Sequence, residues 1–574
     1  MCETKIKGFQ KNISDFAKYC TRIVNFRKSE TFIFACKHQS KDLKTMKSIN
    51  LMVCLLATAV TTSFAAVRGL DMRLQHYQPK KFEAAVRSLQ TQYKSDFQPG
   101  TEWEKVLQEL EANRSQLIEG IRKGDKKAIR QAENILHELD ATLLANPLIR
   151  GKQVVAIRRT LGDKARTAVG GALGIVPDNF HNNFAIPHPA EGWKNEFVSF
   201  RIEPGHIERK TIYKPQEGMI IADPEPHFDG DRMMYSSIGT NNRWHLFELN
   251  LKDGTTHQLT PEAYRDFDSF EGCYAPDGSY IFCSTGTFLG LPCTDGGSNM
   301  SGLFRYDPST GKTRQLTYDQ DSNWGPVVME NGMILYQRWE YADLPHANSR
   351  VTFTMNPDGT NQRAYYGSNS YFPTSYFDAR PIPGRPSAMV GIVTGHHSTP
   401  RSGRLMIIDV NKGRREADGV VAEIPYSGRK VLPEVRDRQA DGCWPRFLQP
   451  WPLNDTYFLV AMKASPESLW GLYLVDSFDN MTLICEDEGV AYLEPVLVEK
   501  RAIPPVIPDQ VKPGLTTGTV FVRFQSLAPR WTFRYDRHGW PLGYKTYYRR
   551  SGCGRRWFGN LPGSCQHTGL HPTA

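Results

Sequence analysis

Catalytic signatures are what this 574-residue sequence has least of. No GxSxG elbow follows a strand-like run, and neither HExxH nor the phosphate-cradling GxxxxGK[ST] loop occurs. Those absences exclude serine-hydrolase, zincin and P-loop readings by motif. The 11 cysteines include no CxxC and no CxxCH, so neither a zinc ribbon nor a c-type haem attachment is spelled out. Carboxylates are numerous, but no pair is spaced to specify acid–base work. Acid is nearly missing from residues 523–574, which hold nine Lys or Arg and only Asp536 against them. Residues 1–65 carry +7, so residues 66–522 carry −6 although the whole chain is +9. A mildly acidic body leaves no footprint for phosphate, and nucleic acid is not an expected partner.

Long apolar runs are scarce too. Leu51–Val60 is ten residues, too short to span a bilayer comfortably. Met46-Lys47-Ser48-Ile49-Asn50 precedes it and Thr61-Thr62-Ser63-Phe64-Ala65 follows, the layout of a secretory signal peptide over 46–65. The alternative is a buried apolar helix. Residues 1–45 then read as an upstream extension, and the expected location is periplasmic or secreted, with no stable transmembrane segment in the mature chain. In an oxidising compartment Cys283 and Cys293 have the spacing to close a short disulfide loop.

What is present is periodicity. Trp103, Val106, Leu107 and Leu110 recur at helical spacing, as do Ile129, Ala132, Ile135, Leu136 and Leu139, with Arg122-Lys123-Gly124-Asp125 between them. This predicts a helical hairpin within 66–150, followed by a mixed connector over 151–195. From Glu196 the period shortens to two, with Val198, Phe200 and Ile202 on one face. Short apolar runs then alternate with turn dipeptides such as Asn331-Gly332, Asp358-Gly359 and Pro383-Gly384. The triplet Gln-Leu-Thr recurs at 258–260 and 315–317, 57 residues apart. A repeat of that length implies a radial array, since one four-stranded unit cannot bury both faces alone. The expected fold is mainly β: a six-bladed β-propeller of TolB/PD40-like repeats over 196–510. Glu196–Asp223 and Ala491–Val506 would supply its sixth blade. Residues 511–574 show no sustained period and read as an aberrant basic tail, disordered or translated out of frame.

Several runs carry a family resemblance: FCSTGTFLGLPC (Phe282–Cys293), LYQRWEYADLPH (Leu335–His346), MNPDGTNQRAYYGSNSYFPTSYFDARPIPG (Met355–Gly384), GIVTGHHSTPRSG (Gly391–Gly403) and PWPLNDTYFLVAMK (Pro450–Lys463). With LLANPLI (Leu143–Ile149) they resemble the middle propeller domain of the hydrazine synthase alpha subunit family, over roughly 140–522. The Pro-Asp-Gly turns alone are shared with TolB-like propellers. The resemblance implies an exported propeller that scaffolds a haem-bearing assembly, with a protein or redox partner. In the synthase, the subunit carries c-type haems beyond the propeller and joins nitric oxide with an ammonium-derived nitrogen. The chain lacks the CxxCH sites those haems need, so the reading is a binding or assembly scaffold that has lost a C-terminal haem domain. The alternative is an oxidoreductase subunit with a metal or haem-edge site at a propeller loop.

Candidate site residues follow. Cys293 lies in a Gly/Pro-rich loop, and the family uses a propeller-loop cysteine near a metal; a disulfide to Cys283 is the plainer alternative. A thiolate with neutral imidazoles suits zinc, and His227, His346, His396 and His397 sit in loops next to strands. Arg338, Trp339, Glu340 and Arg401 put charge and aromatic surface at strand ends, as a ligand site or as an inter-blade salt bridge with Trp339 as a wedge. Trp324, Trp444 and Trp470 read as wedges between blades.

Overall fold

The computed structural model describes residues 69–161, 193–203, 205–291, 299–340, 349–395, 401–434, 436–466, 468–512, 514, 530–535 and 541–547. The chain divides into two compact units, Met1–Gln510 and Val511–Ala574. The fold is mainly β, built of several antiparallel sheets. Among the described residues no helix is long and apolar enough to cross a membrane.

The first unit opens with helices. Residues 69–76 are helical, followed by α1 (Pro79–Tyr93), α2 (Glu102–Lys123) and α3 (Lys126–Leu144). The turn read from Arg122–Asp125 separates α2 from α3. Gly124 ends α2 with a left-handed φ of 74°, and the Asp125 carboxylate accepts from Lys127 N to start α3. Leu107, Leu110 and Leu117 of α2 and Ala132, Ile135, Leu136 and Leu139 of α3 are buried, and they share one core with Leu459, Leu472 and Tyr492 of the sheets.

Five sheets follow. One takes strands from both ends of the unit, in the order β24 (Ala491–Val498), β1 (Gln153–Leu161), β2 (Trp193–Glu203), β3 (His206–Tyr213). β1 comes from the stretch read as a connector; its apolar run Val154–Ile157 is wholly buried between β24 and β2. The next sheet is β4 (Ile221–Pro226), β5 (Arg232–Ile238), β6 (Trp244–Asn250), β7 (Thr256–Gln258). Then come β8 (Ser269–Tyr274), β9 (Tyr280–Ser284), β10 (Gly302–Asp307) and β11 (Lys312–Gln315). The fourth sheet joins two sets of four. The first set is β12 (Asn323–Val328), β13 (Ile334–Glu340), β14 (Ser349–Met355) and β15 (Arg363–Tyr366). The second is β16 (Ser375–Ile382), β17 (Arg385–Thr394), β18 (Arg404–Asp409) and β19 (Val420–Ile424), linked to the first through the parallel pair Arg350 and Ser375. The fifth is β20 (Arg446–Pro452), β21 (Tyr457–Lys463), β22 (Gly471–Asp476) and β23 (Met481–Cys485).

The first strand of each set touches the first strand of the next: β4, β8, β12, β16, β20, β24, and β24 touches β4 again. β8, β22 and β24 are buried along their whole length, because both faces of these sheets are covered by neighbours.

The second unit holds an antiparallel hairpin, β25 (Arg530–Tyr535) with β26 (Pro541–Tyr547). The sequence pattern predicts no fold there. Pairing is a property of the backbone, and it does not require the side-chain period that this stretch lacks.

Candidate functional site

Each of the six first strands breaks its ladder near its middle, and β16 breaks a second time at Pro381/Ile382. The register shifts at Ala222/Glu225, Phe270/Gly272, Trp324/Val327, Phe377/Arg380 and Leu448/Trp451, and opposite Val155/Ile157 for β24. At each of these six breaks one residue takes a left-handed φ: Asp223 (56°), Glu271 (47°), Gly325 (54°), Asp378 (53°), Gln449 (45°) and Glu494 (53°). Such a φ costs a non-glycine residue about 1–2 kcal/mol, so repeating it at five non-glycine positions needs a compensating interaction. A bulge re-aims the side chain at its centre, and here it aims five acceptors at one another's backbones.

The bonds run in a circuit. Asp223 Oδ2 accepts from Glu271 N (3.3 Å), and Glu271 Oε2 accepts from Gly325 N (2.8 Å). Asp378 Oδ2 accepts from Gln449 N (3.2 Å), and Gln449 Oε1 accepts from Glu494 N (3.2 Å). Glu494 Oε2 accepts from Asp223 N (2.5 Å), which returns to the start. The one step without such a link is from Gly325 to Asp378, because glycine has no side-chain acceptor to offer.

Two guanidinium groups enter this ring. Arg401, just ahead of β18, donates from Nη1 to Glu271 Oε1 (2.8 Å), lies 3.9 Å from Asp378 Oδ1 and stands 4.7 Å from the centre of the Phe377 ring. Arg159 of β1 donates to Asn195 Oδ1 (2.6 Å) and to Ile221 O (2.7 Å). Burial, then the Glu271 charge, holds the Asp223 carboxyl well above the ordinary range. Burial, then the Asp223 charge, does the same to Glu494, with Arg159 opposing. Asp378 is also raised by burial, with Arg401 opposing. Glu494 is only 6% exposed, and its Oε1 is buried with no hydrogen-bond partner.

A cavity of about 100 Å³ is lined by Asp223, Glu271, Asp378, Arg401, Gln449 and Glu494. It shares Glu225, Val327 and Arg380 with a larger cavity of about 450 Å³. Phe228, Tyr274 and Trp451 give that cavity its aromatic wall. The Glu225 carboxylate holds Arg380 (2.8 Å) and Arg501 (3.5 Å), whose guanidinium carbons lie 4.5 and 5.3 Å from the Trp451 ring. The irregular segment 501–510 borders it with Pro504 and Pro505. Arg501 N donates to Phe228 O (2.8 Å), and Asp509 meets Arg305 (3.3 Å) and Arg314 (2.8 Å) further along. Gly332 lets this segment pass: a Cβ there would meet Pro505 O at 2.2 Å.

Of the residues singled out in the sequence, Arg401 joins the ring. His227 lies beside the larger cavity, with Nδ1 2.8 Å from Asp229, Nε2 3.0 Å from Arg232 and its ring edge-on to Tyr274 at 4.7 Å. Burial lowers its pKa. Arg338 pairs with Asp319 (2.9 Å) over the Phe353 ring, and Glu340 accepts from Ser368 (3.2 Å). Trp339 is buried with Trp324 and Phe377, and the Arg350 guanidinium lies 4.1 Å from its ring. Cys283 is a buried free thiol that donates to Glu271 Oε2 (3.5 Å), and burial with that carboxylate raises its pKa. Cys293, its suggested disulfide partner, lies outside the described residues, as do His346, His396 and His397.

Among the described residues no three His, Cys, Asp or Glu side chains are placed to hold a metal ion together. Cys273 and Cys283 are buried thiols with raised pKa values, poor donors for the zinc that Cys293 and the histidines suggested. For haem c the attachment pair is missing from the sequence itself, and the residues present do not fit that group.

The ring acids were not anticipated. A signal for them exists: Asp223-Pro224, Gly325-Pro326, Gln449-Pro450 and Glu494-Pro495 repeat one position, and proline disfavours the helical region for the residue before it.

No family model matches the chain, and no curated protein sequence matches it. Among solved structures it is similar to a Kuenenia stuttgartiensis hydrazine synthase chain, at 13% identity and a TM-score of 0.44 over 65% of this chain and 49% of that one. It thus spans about half the length of that protein. It is also similar to TolB from Acinetobacter baumannii, at 14% identity and a TM-score of 0.36 over 65% of this chain and 73% of that one. A putative TolB from Agrobacterium tumefaciens aligns at 14% identity and a TM-score of 0.30, over 49% of this chain and 93% of that one.

Proposed function

We propose that residues 153–510 form a six-bladed β-propeller that works as an exported binding module, taking an extended segment of a protein partner in the 450 Å³ cavity. The succession of contacts through six first strands, with β24 returning to β4, supports the six blades. The signal-peptide pattern over 46–65 supports export.

The observation that carries the binding role is the wall of the larger cavity. Phe228, Tyr274 and Trp451 supply aromatic surface, and Pro226, Pro381 and Pro452 supply rigid apolar edges. Most of its charges are already engaged, Glu225 with Arg380 and Arg501, Lys152 with Glu499 (2.7 Å), and Glu330 with Gly384 N (2.7 Å). What remains free to recruit a ligand is aromatic and apolar. The chain's own segment Ala502–Pro505, with Pro504 and Pro505, already lies along this wall. Aromatic grooves take proline-rich extended chains because little conformational entropy is lost on binding.

Selection from a random peptide library displayed on phage tests this reading. Enriched peptides should contain proline beside an aliphatic or aromatic residue. Their affinity should fall at least about tenfold on Trp451→Ala, the equivalent of 1.4 kcal/mol. Peptides that bind Trp451→Ala as tightly as the parent protein would sink the proposal.

A further inference from the structure

We infer that Ala502–Asp509 is a displaceable strap that competes with the partner segment for the wall of the larger cavity. It is the chain's own occupant of that wall, and a partner of the same proline and aliphatic chemistry takes its place when the strap lifts. The inference rests on the peptide reading of the cavity and adds its regulation.

The first ground is chemical likeness. The strap reads Ala-Ile-Pro-Pro-Val-Ile-Pro-Asp, three prolines and three branched aliphatics in eight residues. That is the composition an aromatic wall is suited to take. Ala502, Ile503, Pro504 and Pro505 line the same cavity as Phe228, Tyr274 and Trp451. The strap and a proline-rich partner therefore call on one surface.

The second ground is that the strap is fastened at its two ends. At one end Arg501 N donates to Phe228 O (2.8 Å), and the Arg501 guanidinium meets Glu225 (3.5 Å). At the other, Asp509 Oδ2 takes Arg305 (3.3 Å) and Arg314 (2.8 Å), and Gln510 N donates to Asp358 Oδ2 (2.7 Å). Among the described residues, the backbone N–H groups of Ala502, Ile503, Val506 and Ile507 donate no hydrogen bond, and Pro504, Pro505 and Pro508 have none to donate. Ile503 is 61% and Val506 55% exposed, while Ile507 packs against the cluster of Val327, Met329 and Met333. A segment without a backbone ladder and with few buried apolar contacts opens far more readily than the whole domain unfolds.

The third ground is the kind of fastening. Asp509 is 40% exposed and clamped by two arginines, so its hold is screened by solvent and reversible. The middle of the strap is seated on Gly332, where a Cβ would meet Pro505 O at 2.2 Å. Neither Asp509 nor Gly332 is among the lining residues of the cavity, so each can be changed without altering the aromatic wall. A tethered competitor acts at a local concentration on the order of millimolar. A partner's affinity is lowered by the fraction of molecules whose strap is open, and loosening the strap raises that fraction.

The test is fluorescence anisotropy of the full chain with a labelled synthetic peptide, Arg-Ala-Ile-Pro-Pro-Val-Ile-Pro-Asp-Gln, the sequence of residues 501–510. Asp509→Asn removes the charge that holds Arg305 and Arg314. Gly332→Asn brings in a residue that tolerates the left-handed φ of 81° and sets a Cβ against Pro505 O. Each variant should bind the peptide at least about threefold more tightly than the parent, and one variant suffices if the other does not fold. Trp451→Ala added to either variant should remove the gain. Equal affinity, or no binding, in the parent and both variants overturns the inference; the peptide reading still stands if phage-selected peptides lose affinity on Trp451→Ala. A gain that survives Trp451→Ala places the peptide off the aromatic wall, and it overturns the inference and the reading together.

Discussion

The ring of bulged residues and the sheet β24-β1-β2-β3 both tie together parts of the chain hundreds of residues apart, and they do so by opposite chemistry. The sheet relies on burial. Val154, Val155, Ala156 and Ile157 are completely buried, as are Ala491, Tyr492 and Leu493 opposite them. Its register holds for nine pairs between β1 and β2, because a slip by one residue would turn that apolar set to the wrong face. The ring relies on acceptors aimed at backbone N–H groups and on two buried guanidinium groups. The contribution of these apolar residues is therefore nearly indifferent to charge state, while that of the ring, which takes Arg159 from β1 and Glu494 from β24, depends on which carboxyls are ionised. Low dielectric strengthens satisfied polar pairs and penalises broken ones, so the ring should be the more brittle of the two.

Breaking the ring should have the largest effect. Arg401→Met removes the cation from Glu271 and Asp378 while keeping much of the packing on Phe377. Removing one partner of a buried ion pair costs about 3–5 kcal/mol, and urea unfolding should show a loss of that size. Adding Glu271→Gln should recover part of it, since the stranded charge is then gone. A loss under about 1 kcal/mol would mean the pair is solvated, in the range of surface bridges. The apolar counterpart is Ile157→Ala, fully buried in β1. It should cost about 3 kcal/mol through lost transfer energy and a residual cavity. That loss should be the same at pH 5 and pH 8. A strong pH dependence in Ile157→Ala would show that the two closures are coupled and do not separate by chemistry.

The two regions also differed in how legible they were. Strands such as β9, β14 and β22 stand out as apolar runs between turn dipeptides, and the α2–α3 hairpin follows from its apolar spacing and from Gly124. β1 was hidden. Its run Val154–Ile157 is followed by Arg158-Arg159, which reads as a polar exit, and only the fold reveals that Arg159 is 0% exposed. The ring was less visible still. Asp223, Glu271, Asp378 and Glu494 interrupt apolar strands in positions where sequence logic assigns acids to solvent. What turns them inward is the bulge, a backbone event with no fixed residue signature beyond the proline that follows in four of six cases. Glu271-Gly272 and Asp378-Ala379 lack even that mark. Arg401 drew attention through neighbouring aromatics and histidines, but nothing in the linear order links it to Glu271, 130 residues earlier.

The smallest of these effects separates the regions most cleanly, because it changes no residue in the parent protein. Asp223 and Glu494 have folded-state pKa values raised by burial and by nearby like charge. A carboxyl raised on folding binds its proton more tightly in the native state than in the unfolded chain, where it titrates near pH 4. The associated stability is fully present below that unfolded value and is lost as pH climbs through the folded one. A tenfold change in proton affinity corresponds to about 1.4 kcal/mol, so unfolding by urea should show a loss of at least about that size between pH 5 and pH 9. Glu494→Gln removes one of the titrating groups and relieves the repulsion that raises Asp223, so its stability should fall less over the same range, the remaining slope coming from other buried carboxyls such as Asp476, raised to about 7 by burial. Ile157→Ala should keep the parent slope while sitting lower throughout. If Glu494→Gln also keeps the parent slope, the pH dependence arises elsewhere, and the ring carboxyls are already neutralised by something that neither protons nor this substitution disturbs.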